Sequence, residues 1–133
     1  MKKMNILVLM SAIGFLVGCG GNSNIESSDI DYNGNYNVIV ISSTKTDNNG
    51  NTCQGANGLM NITNSKITGK VTTDFGDIFD IDGNIASNGN VKGGFAVTGY
   101  NVASYTGSIS ITAGEGTWKD IYGCSGEWAV SKI

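Results

Sequence analysis

Residues 78–97 read IFDIDGNIASNGNVKGGFAV, and apolar and polar side chains alternate on either side of the stretch Ser-Asn-Gly-Asn. Alternation with a period of two is typical of a β-strand with one buried face, and Asn-Gly favours tight hairpin turns because both residues tolerate positive φ. The stretch therefore predicts a β-hairpin. Its inward face would carry Phe79, Ile81, Gly83, Ile85, Val91, Gly93, Phe95 and Val97.

The same alternation continues along the chain on both sides of this hairpin. Eight predicted strands, rich in β-branched residues, span residues 36–41, 59–63, 67–73, 78–85, 91–98, 105–112, 116–120 and 124–131. The stretches between them are rich in Asn, Asp and Gly and are predicted turns, among them 98–101 and 112–116. Connections this short leave no room for crossover helices, so neighbouring strands should be antiparallel. We predict an all-β fold, a small antiparallel meander that closes into an eight-stranded up-and-down barrel.

Glycines recur on the predicted apolar faces, where a side chain would be expected. They are Gly69, Gly83, Gly93, Gly107 and Gly126. Glycine weakens the interior of a strand, so its repetition indicates sharp coiling or close approach of the backbone. A narrow barrel of this kind is filled by its own side chains or holds one small ligand.

The first residues of the chain are typical of a secretory signal peptide. Lys2 and Lys3 precede an almost wholly apolar run at residues 6–17, which is too short to span a bilayer as a helix. The run ends in Leu16-Val17-Gly18-Cys19, which resembles the lipobox of bacterial lipoproteins. The resemblance implies that residues 1–18 are removed and that Cys19 is lipidated.

This resemblance also implies where the protein resides. Acyl chains on Cys19 would anchor it to a membrane of the cell envelope. An aspartate after the cysteine tends to retain such lipoproteins in the inner membrane, and Gly20 at that position favours the outer membrane. Residues 19–31, poor in apolar side chains, are predicted to be a flexible tether, and residues 32–133 the barrel domain.

The two remaining cysteines, Cys53 and Cys124, are expected to form a disulfide because the protein would be exported from the reducing cytosol. The bond would join the start of the second strand to the last strand. Two free thiols or a metal pair are the alternatives, although no His or further Cys is present to complete a zinc site.

Charge and composition argue against several functions. The chain has eight Lys, no Arg, no His and eleven acidic residues, so a nucleic-acid partner is not expected. Without His, the Ser-His-Asp and Cys-His nucleophile systems are excluded. We expect no enzyme activity, no metal and no cofactor.

The acidic residues between positions 74 and 82 are the remaining candidates for chemistry. Asp74, Asp77, Asp80 and Asp82 could supply paired carboxylates, as in a glycosidase, or calcium ligands in a hairpin turn. Asp80 and Asp82, however, fall on the polar face of their predicted strand. A solvated acidic surface is the preferred interpretation.

The function predicted from these observations is binding or a structural role, by a membrane-anchored envelope lipoprotein. The alternatives are a lipid-anchored inhibitor of lysozyme or a protease, and a carrier of a small apolar ligand. The binding residues for an envelope protein partner would be exposed loop residues, for which the candidates are Tyr100, Asn101, Trp118 and Tyr122. Trp118 and Trp128 could instead plug the barrel near the disulfide, or stack on a ligand.

Overall fold

A computed structural model describes residues 30–133. The predicted signal peptide, the lipidation site Cys19 and all but the last two residues of the predicted tether lie outside this range. Within residues 30–133, no helix has the length and apolar character needed to cross a membrane.

Eight strands, each hydrogen-bonded to the next in antiparallel orientation, form a closed barrel in which the first strand also pairs with the last. This confirms the predicted up-and-down barrel. The strands are β1 (Gly34–Ser42), β2 (Ala56–Thr63), β3 (Lys66–Thr73), β4 (Ile78–Ile85), β5 (Asn90–Val97), β6 (Tyr100–Ile109), β7 (Ala113–Asp120) and β8 (Ser125–Lys132).

Two predicted turns are present, but their bounds are wrong because some of their residues belong to strands. Thr98 and Gly99 alone connect β5 to β6, and both have positive φ, 46° and 87°, as a two-residue hairpin turn with matching twist requires. Tyr100 therefore already pairs with Val97 in the ladder. Likewise, β7 begins at Ala113, so the Gly-Glu-Gly stretch read as a turn lies within a strand.

One predicted inward residue of the opening hairpin, Val97, is exposed, and it lies next to a β-bulge. The ladder between β5 and β6 shifts register between Phe95 and Ala96, and Val102 is the extra residue of β6. After this shift, Ala96 is 7% exposed and Val97 is 39% exposed, the reverse of the predicted alternation. A bulge inserts one residue into a strand and thereby redirects the side chains of that strand, which here is β6.

The barrel has two unlike ends. At one end, where β1 begins, Tyr32 and Tyr36 are buried, and the Tyr36 hydroxyl donates a hydrogen bond to the Tyr32 carbonyl oxygen at 2.6 Å. Ile62 and Ile67 are fully buried beside the adjoining β2–β3 turn. This end of the barrel is closed by its own side chains.

Paired glycines make room for the Tyr105 side chain in the middle of the barrel. Gly83 and Gly93 face each other across β4 and β5, and a Cβ at Gly93 would lie 2.6 Å from the Tyr105 hydroxyl oxygen. That hydroxyl donates a hydrogen bond to the Asp82 carbonyl oxygen at 2.8 Å. The predicted close approach at inward glycines is therefore confirmed here, where both the neighbouring backbone and an aromatic side chain leave no room for a Cβ.

A second pair of facing glycines makes room for the Trp128 ring in the same way. Gly107 and Gly116 face each other across β6 and β7, and a Cβ at either would lie 2.6 Å from the Trp128 ring. The indole N–H reaches the carbonyl oxygens of Thr106 and Thr117 at 3.2 Å. Only glycine at these positions lets the bulky ring lie against the wall of so narrow a barrel.

Candidate functional site

The end of the barrel opposite to the start of β1 holds a cavity of about 240 Å³, which we call the cup. Seven strands line it at this end. The aliphatic part of its lining consists of Val40, Ala56, Val71, Val102 and Ala103, and the aromatic part of Phe79, Phe95 and Trp118. The bulge in β6 allows the consecutive residues Val102 and Ala103 both to line the cup.

The cup is much larger than a second cavity in the described part of the chain. A second void, of about 20 Å³, lies among core residues such as Met60, Ile67 and Trp128. A single water needs roughly 10–15 Å³ of such volume, whereas an apolar cavity of ~150 Å³ binds benzene. The cup can therefore hold a small organic molecule, and the void below it cannot.

Polar residues surround the mouth of the cup. They are Asp47, Asn51, Thr52, Gln54, Thr73, Asp77, Asp120 and Tyr122. No lysine is among the lining residues, and the sequence contains no arginine. The cup thus combines an apolar floor with a rim whose only charged groups are carboxylates.

Two of the rim carboxylates are held in place by backbone N–H groups. Asp47 accepts hydrogen bonds from the N–H groups of Asn51 and Asn49, at 2.9 and 2.8 Å, and the bond from Asn51 is the main cause that lowers the pKa of Asp47. Asp120 similarly accepts bonds from the N–H groups of Tyr122 and Cys124, both at 2.9 Å. Both carboxylates are therefore held by backbone N–H groups of the loop residues that follow them.

The connection between β1 and β2 forms one side of the mouth and is bound to the neighbouring β7–β8 loop. Cys53 in this connection forms a disulfide with Cys124, with 5.8 Å between their Cα atoms, and both cysteines line the cup. The N–H of Asn48 also donates to the Tyr122 carbonyl oxygen at 2.8 Å. The predicted disulfide is confirmed, although Cys53 precedes β2 and Cys124 precedes β8 instead of lying inside these strands.

The four predicted binding residues all lie at this end of the barrel, but only two line the cup. Tyr100 and Asn101 are exposed at the start of β6 and do not contribute to the lining. Tyr122, in the loop after β7, is 47% exposed and reaches the rim.

Trp118 is not the exposed loop residue expected of a binding candidate, and its burial agrees with the alternative that it fills the barrel near the disulfide. It belongs to β7 and is only 8% exposed, because the strand places its side chain inward. Its indole N–H donates to the Ile41 carbonyl oxygen at 3.0 Å. Trp118 and the two cysteines line the same cup, whereas Trp128 packs in the core against Tyr105 at 5.8 Å between ring centroids.

The candidate acidic residues do not form a common site. Asp80 and Asp82 point to solvent as predicted, Asp74 is exposed in the β3–β4 turn, and only Asp77 reaches the rim of the cup. Within residues 30–133, no three Asp, Glu or Cys side chains converge as metal ligands would.

Exposed apolar side chains are also concentrated at the mouth. Phe75, Ile78, Val97, Tyr100, Ile121 and Tyr122 are each more than a third exposed, and all lie in the loops or strand ends on this side. The cup is therefore surrounded by a partly apolar outer surface.

Sequence reasoning missed most of the lining of the cup. Phe79 and Phe95 were correctly expected to face inward, but no sequence pattern indicates that a cavity lies beside their side chains. The available signal was the position of each residue within its strand, since lining residues occur near the same end of seven consecutive strands.

Comparison with protein-family models, with curated proteins and with solved structures finds no match.

Proposed function

We propose that this protein is a lipid-anchored binding protein of the bacterial envelope, and that its ligand is a small, largely apolar molecule held in the cup. The observation that carries the proposal is the cup itself, an apolar cavity of about 240 Å³ that opens at one end of an otherwise filled barrel. A protein core normally leaves few voids larger than a water molecule. A cavity of this size with a polar rim is typical of a ligand site.

The lipobox supports the envelope location, and the disulfide is consistent with export from the cytosol. The chain would enter the barrel from the anchor at the closed end, because β1 begins there. Metabolic labelling with an alkyne fatty acid tests this part of the proposal. Label should be incorporated by the wild type and lost in Cys19→Ala, and a Cys19→Ala protein that remains firmly in the membrane fraction would refute lipid anchoring.

The cup is tested by filling it. Ala103 lines the cup, so Ala103→Phe should occupy the space and lower the affinity for an apolar probe such as Nile red at least tenfold. Ala129→Phe is the matched control, because Ala129 lies on the outer face of β8. Probe binding that survives Ala103→Phe, while both variants stay folded, would show that the cup is not the site.

A protein partner is the second candidate, supported by the apolar surface around the mouth. Phe75 and Tyr100 are 72% and 75% exposed, and aromatic groups at strand ends supply large contact areas in interfaces. Crosslinking in cells should then capture an envelope protein through this end of the barrel. Stoichiometric inhibition of a lysozyme or a protease would identify that partner as an enzyme, and crosslinks confined to the closed end would contradict this candidate.

A further inference from the structure

We infer that the ligand of the cup is a small organic cation, an amine or quaternary ammonium group attached to an apolar body. This inference deepens the proposed function and rests on it. It concerns the charge of the ligand, which the volume of the cup alone does not determine.

The first argument is the charge of the rim. Asp47, Asp77 and Asp120 line the mouth, and no cationic side chain is among the lining residues. The only ion pair among residues 30–133 joins Lys70 to Asp80 on the outer wall, so none of the three rim carboxylates is neutralised by a salt bridge. Charges of one sign around a low-dielectric cleft concentrate the field there, which attracts ligands of the opposite sign.

The second argument is the aromatic lining. Four aromatic residues line the cup: Phe79, Phe95, Trp118 and Tyr122. The Trp118 N–H is already bonded to the Ile41 carbonyl oxygen, so the indole offers its ring to a ligand and no hydrogen-bond donor. The negative face of an aromatic ring attracts ammonium groups, and quaternary ammonium ions are bound by aromatic cages in this way.

The other charge classes fit this cup less well. An anion would meet three carboxylates and no Lys or Arg. A metal ion prefers several converging oxygen ligands, and no group of three acidic side chains in the described part of the chain converges. A cation with an apolar body uses both the carboxylates of the rim and the apolar floor.

Three probes with the same phenylpropyl body test this inference. They are 3-phenylpropylammonium, 3-phenylpropanol and 3-phenylpropanoate, and their binding is measured by calorimetry on the full-length mature protein in detergent. The cation should bind about tenfold more tightly than the alcohol, the anion should bind most weakly, and added salt should weaken only the binding of the cation. Equal affinity for cation and alcohol would overturn the inference but leave the proposed function intact, whereas no binding of any probe would count against both.

Variants that remove charge then test whether the preference for the cation comes from the rim carboxylates. The double variant Asp77→Asn, Asp120→Asn removes both charges but keeps one acceptor oxygen on each side chain, and it should reduce the preference for the cation over the alcohol at least threefold. Asp82→Asn is the matched control, since Asp82 is exposed on the outer wall of β4 and is not part of the lining. If Asp82→Asn reduced the preference equally, the attraction would come from the net charge of the protein, and the assignment to the rim would be wrong.

Discussion

Removing the Cys53–Cys124 disulfide should destabilise the barrel strongly. The two cysteines are 71 residues apart in the sequence, so the bond closes a loop that spans most of the domain. In the chain-entropy model, the loss of a loop of this length costs about 4 kcal/mol of unfolding free energy, because the unfolded chain gains freedom. For a domain of about 100 residues, this corresponds to a fall of roughly 15–30 °C in Tm.

The folded barrel itself should change little. The connection between β1 and β2 is also held by backbone bonds, from Ser43 to the Ser125 carbonyl oxygen and from Asn48 to the Tyr122 carbonyl oxygen, both at 2.8 Å. The far-ultraviolet circular dichroism of the double variant Cys53→Ala, Cys124→Ala should therefore match that of the wild type at low temperature.

The assay is thermal and urea unfolding of three samples: the oxidised wild type, the wild type reduced with dithiothreitol, and the double alanine variant. Reduction separates the effect of the bond from that of the altered side chains, so the two bond-free samples should unfold at similar midpoints. A stability difference below about 1 kcal/mol between oxidised and reduced wild type would refute the reasoning. It would mean that the bond hardly restricts the unfolded chain.

Three further outcomes follow from particular contacts. Gly83→Ala should destabilise the protein by about 1–3 kcal/mol in urea unfolding, because the added Cβ would overlap the Tyr105 hydroxyl. A loss of stability below about 0.5 kcal/mol, the size expected of an unstrained surface substitution, would contradict this packing. Burial raises the pKa of Tyr105, so the folded state keeps a proton that the unfolded state loses near pH 10, and stability should fall as the pH rises above about 10. This fall should be shallower in Tyr105→Phe, as measured by urea unfolding across the alkaline range. Tyr100→Ser with Tyr122→Ser should weaken capture of a protein partner and leave Tm nearly unchanged, and a large loss of Tm with capture intact would show that both rings serve packing.

The strands and their antiparallel order could be predicted because they depend on local sequence, and the disulfide because only two cysteines follow Cys19. Alternating apolar residues mark a half-buried strand wherever they occur, as in Ile81 and Ile85 on β4. Two cysteines in an exported domain leave one obvious pairing. Closure followed from strand number and short connections, and the pairing of β1 with β8 confirms it.

The remaining features depend on how two or more strands meet. The alternation of β5 is unbroken in the sequence, and the bulge appears only in its ladder with β6, beside the buried Ala96 and the exposed Val97. Gly114 and Gly116 suggested a turn, but the barrel uses Gly116 in a strand beside the Trp128 ring. The cup is an unfilled volume bounded by seven strands, and no stretch of sequence encodes it alone.

The central claim, that the cup binds a small apolar ligand, is tested most directly by the two indole N–H signals of the protein in ¹H–¹⁵N nuclear magnetic resonance. Trp118 lines the cup, whereas Trp128 is packed in the core below it, so one tryptophan reports on the site and the other serves as an internal control. Titration with 3-phenylpropylammonium should shift the Trp118 signal in a saturable manner and leave the Trp128 signal almost unmoved. Saturable shifts at Trp128 without any at Trp118, or no shift of either signal, would contradict the account.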